Sequence, residues 1–158
     1  MYPVSLGYAQ AVARIQQLLA NGHSAEALLT SVFTFEKTLR RSLKYCIVAR
    51  GFTSTQSEEI LGRRGFQELT KLWPCFAPNH QTLPAFVGKK WQHVQPAVTM
   101  RNKLVHGERV FKLAECSSAA GQVLDALNGF RNQLQSTVGF DGWSRVHIRR
   151  KEKLAWNP

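Results

Sequence analysis

Seven consecutive residues, Arg101, Asn102, Lys103, Leu104, Val105, His106 and Gly107, hold the chain's clearest capacity for chemistry. They fall at the predicted end of an amphipathic helix. Gly107 is the expected stop, because glycine reaches the left-handed region without a Cβ penalty. His106 then occupies the last turn, where the negative end of the helix dipole draws positive charge. Histidine is the side chain that exchanges protons near neutral pH, and arginine supplies a permanent planar cation. Together they are the minimum equipment for splitting a phosphodiester: one group to move a proton, another to hold the phosphate oxygens.

Spacing constrains how they act. Residues four apart share a helix face, which sets Asn102 under His106. Arg101 and His106 are five apart, about 140° around a regular helix, so they do not stack on one face. Two arrangements bring them together. Either the helix unwinds at Gly107 and the imidazole swings, or two copies of the helix meet and share a site, which makes a two-fold dimer part of the mechanism. A lone histidine before glycine reads as a helix cap; with Arg101 in an apolar stripe and Asn102 below, it reads as chemistry.

The elements that position these residues follow from hydrophobic periodicity. A first helix is predicted over residues 5–20, with Val12, Ile15 and Leu19 inward and Asn21-Gly22 as its end. Ser24 is the expected N-cap of a long second helix, 25–50, closing at Gly51. Its stripe is Leu29, Val32, Glu36, Leu39, Leu43 and Ile47. Between residues 52 and 90 the pattern breaks up, with one turn expected over 57–61 and a short helix over 64–73. Pro74, Pro78 and Pro84 mark this stretch as an irregular insertion. Helical period returns over 91–106, with Trp91, Val94, Val98, Arg101 and Val105 in one stripe, and Pro96 either starts that helix or kinks it. A last helix is predicted over 113–138, with Ala120, Val123, Leu127, Phe130 and Leu134 inward and Gly139 as its stop. The expected fold is therefore all-α, an antiparallel helical bundle of about four long helices with short ones in the 52–90 stretch. Residues 1–139 form a single domain in this reading. Residues 140–158 form a basic C-terminal tail, with a short strand at Val146 and Ile148.

Two charges interrupt the apolar stripes. Glu36 lies between Val32 and Leu39, and Arg101 between Val98 and Val105. An unpaired buried charge is expensive, so each requires a partner, a wet cleft or an interface. One reading pairs them in an internal salt bridge. The other has both lining a polar cleft, with Glu36 orienting Arg101.

Composition sets the partners. Against 10 Asp and Glu the chain carries 21 Lys and Arg, a net charge of +11 over 158 residues. Such an excess favours polyanions through counterion release from phosphates. Arg145, Arg149, Arg150, Lys151 and Lys153 cluster in the tail, and with Lys103 and Arg40 they are the expected RNA-binding cations. Cys46, Cys75 and Cys116 show no CxxC spacing, and the five histidines form no zinc-like pairs with them, so no metal or other cofactor is expected. No signal sequence is read at the start and no stretch approaches the roughly twenty apolar residues of a bilayer span. The cytoplasm is the expected location, with no membrane partner.

At Arg101, Asn102 and His106-Gly107, and at Glu36, Leu39, Arg40 and Leu43 of the second helix, the chain resembles the HEPN superfamily (higher eukaryotes and prokaryotes nucleotide-binding domains). Its members carry arginine, four to six intervening residues and histidine, often with asparagine after the arginine. The likeness covers residues 25–50 and 91–138. It implies an all-α fold, homodimerisation and metal-independent RNA cleavage, as in nucleases of toxin–antitoxin and anti-phage defence systems. One branch has, two residues past the histidine, a tyrosine that a nucleotidyltransferase antitoxin modifies; this chain has Glu108 there.

The expected activity is that of an endoribonuclease acting as a toxin or anti-phage effector. His106 serves as acid or base while a ribose 2′-hydroxyl attacks phosphorus, and Arg101 steadies the non-bridging oxygens. Asn102 binds phosphate or fixes the imidazole, and Glu36 orients Arg101. Products then end in 2′,3′-cyclic phosphate. Expected partners are RNA, a second copy, and an antitoxin or other protein. The rival class is a non-catalytic RNA- or protein-binding dimer module, such as a partner of a nucleotidyltransferase.

Overall fold

The computed structural model describes residues 7–145 and 148–158. Among them it is all-α, with no strand. Helix α1 spans Tyr8–Ala20, α2 Ser24–Ala49, α3 Ser54–Leu61, α4 Phe66–Phe76, α5 Leu83–Val87, α6 Trp91–Val105 and α7 Leu113–Val138. Four long helices and three short ones match the expected architecture. No helix among the described residues is long and apolar enough to cross a membrane.

These residues form two compact units. One takes the described residues up to Phe35 together with Lys90–Leu127; the other takes Glu36–Lys89 and the described residues from Asn128 onward. Helices α2 and α7 each contribute to both.

In the first unit the amphipathic faces bury Ile15, Leu28, Val32, Phe35, Val94, Val98, Val123 and Leu127. The ring of Trp91 lies 6.4 Å from that of Phe35, which seats the start of α6. Helix α6 runs through Pro96 rather than starting there. Proline has no N–H, so the Gln92 carbonyl four residues earlier loses its helical donor. The expected stripe runs one turn too far, since Val105 is 57% exposed. The helix stops there, and its last residue lies beyond the cover of the core.

The second unit is built around the stretch that looked irregular. Thr53 and Gln56 form a reciprocal cap at α3: Gln56 N–H donates to Thr53 Oγ1 (3.1 Å) and Thr53 N–H to Gln56 Oε1 (2.9 Å). Helix α4 passes through Pro74 and buries Trp73 completely. Trp73 meets Phe86 at 5.1 Å and Phe130 at 5.6 Å between ring centroids, and these aromatics form the centre of the unit. Residues 52–90 thus supply core, with Leu61, Phe66, Leu69 and Leu83 buried as well.

The basic tail is anchored. Phe140 is buried and stacks on Tyr45 at 4.7 Å. The Tyr45 hydroxyl donates to the Val138 carbonyl (3.0 Å) and accepts from the Trp156 N–H (3.2 Å). Trp143 Nε1 donates to Thr38 Oγ1 at 2.7 Å. Of the expected strand, Val146 lies outside the described residues, and Ile148 is a buried turn residue.

Candidate functional site

The end of α6 is closed by three backbone hydrogen bonds. His106 N–H donates to the Asn102 carbonyl (3.0 Å), Gly107 N–H to Leu104 (3.2 Å) and Glu108 N–H to Lys103 (2.9 Å). Gly107 has φ +66°. The last two bonds and the left-handed glycine make a Schellman closure, which satisfies carbonyls that a helix end otherwise leaves open. His106 is the C-cap, at φ −85° and ψ 1°, so the backbone stays helical up to it. The unwinding that would swing the imidazole toward Arg101 does not occur in this conformation.

His106 and Asn102 are therefore exposed at the carbonyl-rich end of the helix, with Lys103 half-buried beside them. Arg101 is half-buried, about 7.5 Å further down the axis by helical rise. Glu36 is half-buried on α2 and belongs to the second unit, whereas Arg101 belongs to the first. Neither charge is left without a partner.

The basic residues divide into two kinds. Arg40, expected on an RNA-binding face, has a structural engagement: Nη1 donates to the Gly62 carbonyl (3.0 Å) and Nη2 to Arg64 (2.9 Å), closing the end of α3. Arg41 likewise donates to the Gly142 carbonyl, and Arg50 to Phe76 and Ala77. These guanidinium groups hold loops together. Arg145, Arg149, Arg150, Lys151 and Lys153 are instead exposed on the anchored tail, the lysines in a 3-10 turn at Lys151–Lys153.

The tail's entry is fixed by Asp141. Its Oδ1 accepts from the Trp143 N–H (2.8 Å) and the Ser144 N–H (2.7 Å), and its Oδ2 from Arg131 Nη2 (2.9 Å). Partial burial pushes this carboxyl up, but the Ser144 and Trp143 N–H donors and the Arg131 guanidinium outweigh it, and the net result lies below the ordinary value. The thiols offer no rival chemistry in the core. Burial pushes Cys46 up to about 12 even with Arg50 pulling the other way, so it stays protonated.

The chain matches no family model, no curated protein and no solved structure. What the segment can do rests on its own geometry: an accessible proton-exchanging ring, an amide one turn below it, and a guanidinium offset around the same helix. A shallow groove of about 440 Å³ also lies along α6 and α7, lined by His93, Ala97, Met100, Glu115, Ser118 and Gln122. It includes neither Arg101 nor His106, and it is a trough between small residues with no convergent cations.

One cation was missed in the sequence. Arg109 lies over the ring of Phe111, its guanidinium carbon 4.7 Å from the centroid, in the connection between α6 and α7. Its signal, an arginine two residues from an aromatic, is too common to single out before the loop is seen.

Proposed function

We propose that this chain is a metal-independent endoribonuclease of the HEPN type, acting as a toxin or anti-phage effector. The observation that carries the reading is the placement of His106: an exposed imidazole at the C-cap of α6, with Asn102 one turn below and Arg101 on the same helix. His106 exchanges the proton of the ribose 2′-hydroxyl or of the leaving 5′-oxygen. The 2′-oxygen bonds to phosphorus, the 5′-oxygen departs, and a 2′,3′-cyclic phosphate remains. Arg101 stabilises the charge that builds on the non-bridging oxygens, as preorganised donors do in acyl and phosphoryl transfer.

The 140° offset between Arg101 and His106 along a helix that stays regular supports a composite site. In that arrangement two copies bring their α6 ends to one cleft. RNA is the substrate because the nucleophile is the 2′-hydroxyl, and DNA resists.

The test is RNA cleavage by the purified chain in EDTA. His106→Ala is expected to lower the rate about 10²–10⁴-fold with the fold intact by circular dichroism. An Ala variant that cuts as fast as the parent ends the enzyme reading. The second reading, a protein-binding module, draws on Val105, Val110 and Leu113, which are 57%, 89% and 62% exposed beside the same segment. It expects no cleavage by either protein.

A further inference from the structure

The connection from His106 to α7 is short and fixed at both ends. Gly107 closes α6, and the Lys112 N–H donates to Glu115 Oε2 (2.9 Å) at the start of α7. Between these ties, Gly107 through Val110 and Lys112 are exposed and Phe111 is half-buried. Val110 is 89% exposed, so the tip of the loop is covered by nothing among the described residues.

Arg109 differs from the arginines that hold loops together. Arg40, Arg41, Arg50, Arg64 and Arg131 all give donors to backbone carbonyls. Arg109 makes no hydrogen bond or ion pair among the described residues; what it touches is the Phe111 ring. A guanidinium over an aromatic ring is a planar cation with one face engaged. The residue is exposed, and its N–H donors are taken by no acceptor among the described residues.

That arrangement suits one kind of ligand. A nucleobase stacks on the free face of the guanidinium and continues the pile of ring, cation and base, while the N–H edge reaches a phosphate or a base edge. Such a base must be unstacked from its neighbours, which requires single-stranded RNA. Arg109 is three residues from His106, and three residues span at most about 11 Å of extended chain. The stacked base therefore flanks the phosphate presented to His106. Lys103 and Lys112, on either side of the loop, supply positive charge along the strand's path.

We infer that Arg109 and Phe111 form a nucleobase clamp, which holds a base of single-stranded RNA next to the scissile phosphate and sets where the chain cuts. This inference rests on the ribonuclease reading for the word "scissile", but the clamp itself is a binding site and can be tested without cleavage.

The experiment uses fluorescence anisotropy with the full chain and 2′-O-methyl RNA octamers, which have no free 2′-hydroxyl and are not cut. One octamer is unmodified in its bases; a set of others carries a single abasic site at each position in turn. Arg109→Ala is expected to weaken binding of the intact octamer on the order of ten-fold, the range of one stacked base. One abasic position is expected to weaken the parent equally and Arg109→Ala no further. Arg109→Lys, which keeps the charge, should retain the salt dependence but lose the penalty at that position. Phe111→Leu keeps an apolar side chain under the loop and should behave like Arg109→Ala.

Arg109→Ala binding as tightly as the parent overturns the clamp. An abasic penalty of the same size in parent and variant also overturns it, since Arg109 then contributes charge alone. On cleavable RNA, a shifted cut pattern in Arg109→Ala supports the clamp and an unchanged one overturns it. A parent that shows the Arg109-dependent abasic penalty yet cuts nothing would fell the ribonuclease reading and leave the clamp standing.

Discussion

Gly107→Ala tests whether the end of α6 is held as described. An added Cβ meets no atom within 4 Å, so the cost is conformational alone. Holding alanine at φ +66° costs roughly 1–2 kcal/mol. The alternative is to abandon the left-handed conformation and lose the bonds from Gly107 to Leu104 and from Glu108 to Lys103. Each is worth about 0.5–1.5 kcal/mol, so release gains nothing over strain. The variant should keep its fold and lose about 1–2 kcal/mol. That corresponds to about 2–4 °C in melting temperature per kcal/mol for a chain of this size. Gly107→Asn should recover most of the loss, since asparagine visits this region readily. Gly142 supplies the contrast. It has φ +83°, and a Cβ there would sit 2.7 Å from Thr38 Cγ2 and 3.2 Å from Ser42 Oγ. Overpacking adds about 1–3 kcal/mol to the strain. Urea titration with circular dichroism reads both. If Gly107→Ala costs as much as Gly142→Ala, or asparagine is no better than alanine, the end of α6 is not the open Schellman turn described.

Three further outcomes are expected. Asp141 has a lowered folded pKa, so its stabilisation is present above the ordinary carboxylate value, about 3.9, and is lost as pH falls through the folded one. Asp141→Asn should lower the urea midpoint at pH 7 and flatten its decline below about pH 4; a parent and variant with parallel acid profiles would refute the assignment. Changing Arg149, Arg150, Lys151 and Lys153 to glutamine should leave the anchored tail in place and reduce the salt slope of RNA binding by about one for each phosphate no longer neutralised. An unchanged slope would remove the tail from the RNA path. Sedimentation at micromolar concentration should show a two-fold dimer, and a fully active monomer would dispose of the composite site.

The long helices were legible because each repeats an apolar residue every three or four positions between recognisable ends. The last helix, read from around Leu113 to Val138, has those bounds. The second helix differed by one at each end, where capping and the first hydrogen bond compete for the boundary. Residues 52–90 were harder because proline reads as a break. Pro74 and Pro84 in fact sit inside or at the start of helices, and Trp73 beside Pro74 is fully buried. The anchoring of the tail was not legible in its composition, which is dominated by charge, yet Phe140, Trp143 and Trp156, scattered among those charges, tie it to α2. At the site, the order of Arg101, Asn102 and His106 on a helix end was plain from spacing. The stacking of Arg109 on Phe111 was not, because it depends on how the connection folds back.

The two units are interleaved along the chain, and this has a consequence for synthesis. Glu36 through Lys89 carry the buried Tyr45 and Trp73, yet Phe140 and Phe130, whose rings meet theirs, are made only later. The first unit likewise waits for residues up to Leu127 before α1 and the start of α2 have their partners. Each unit draws on segments distant in sequence, so neither has all its partners as one contiguous stretch of chain. Any nuclease activity is likewise deferred until α6 has emerged and found its place.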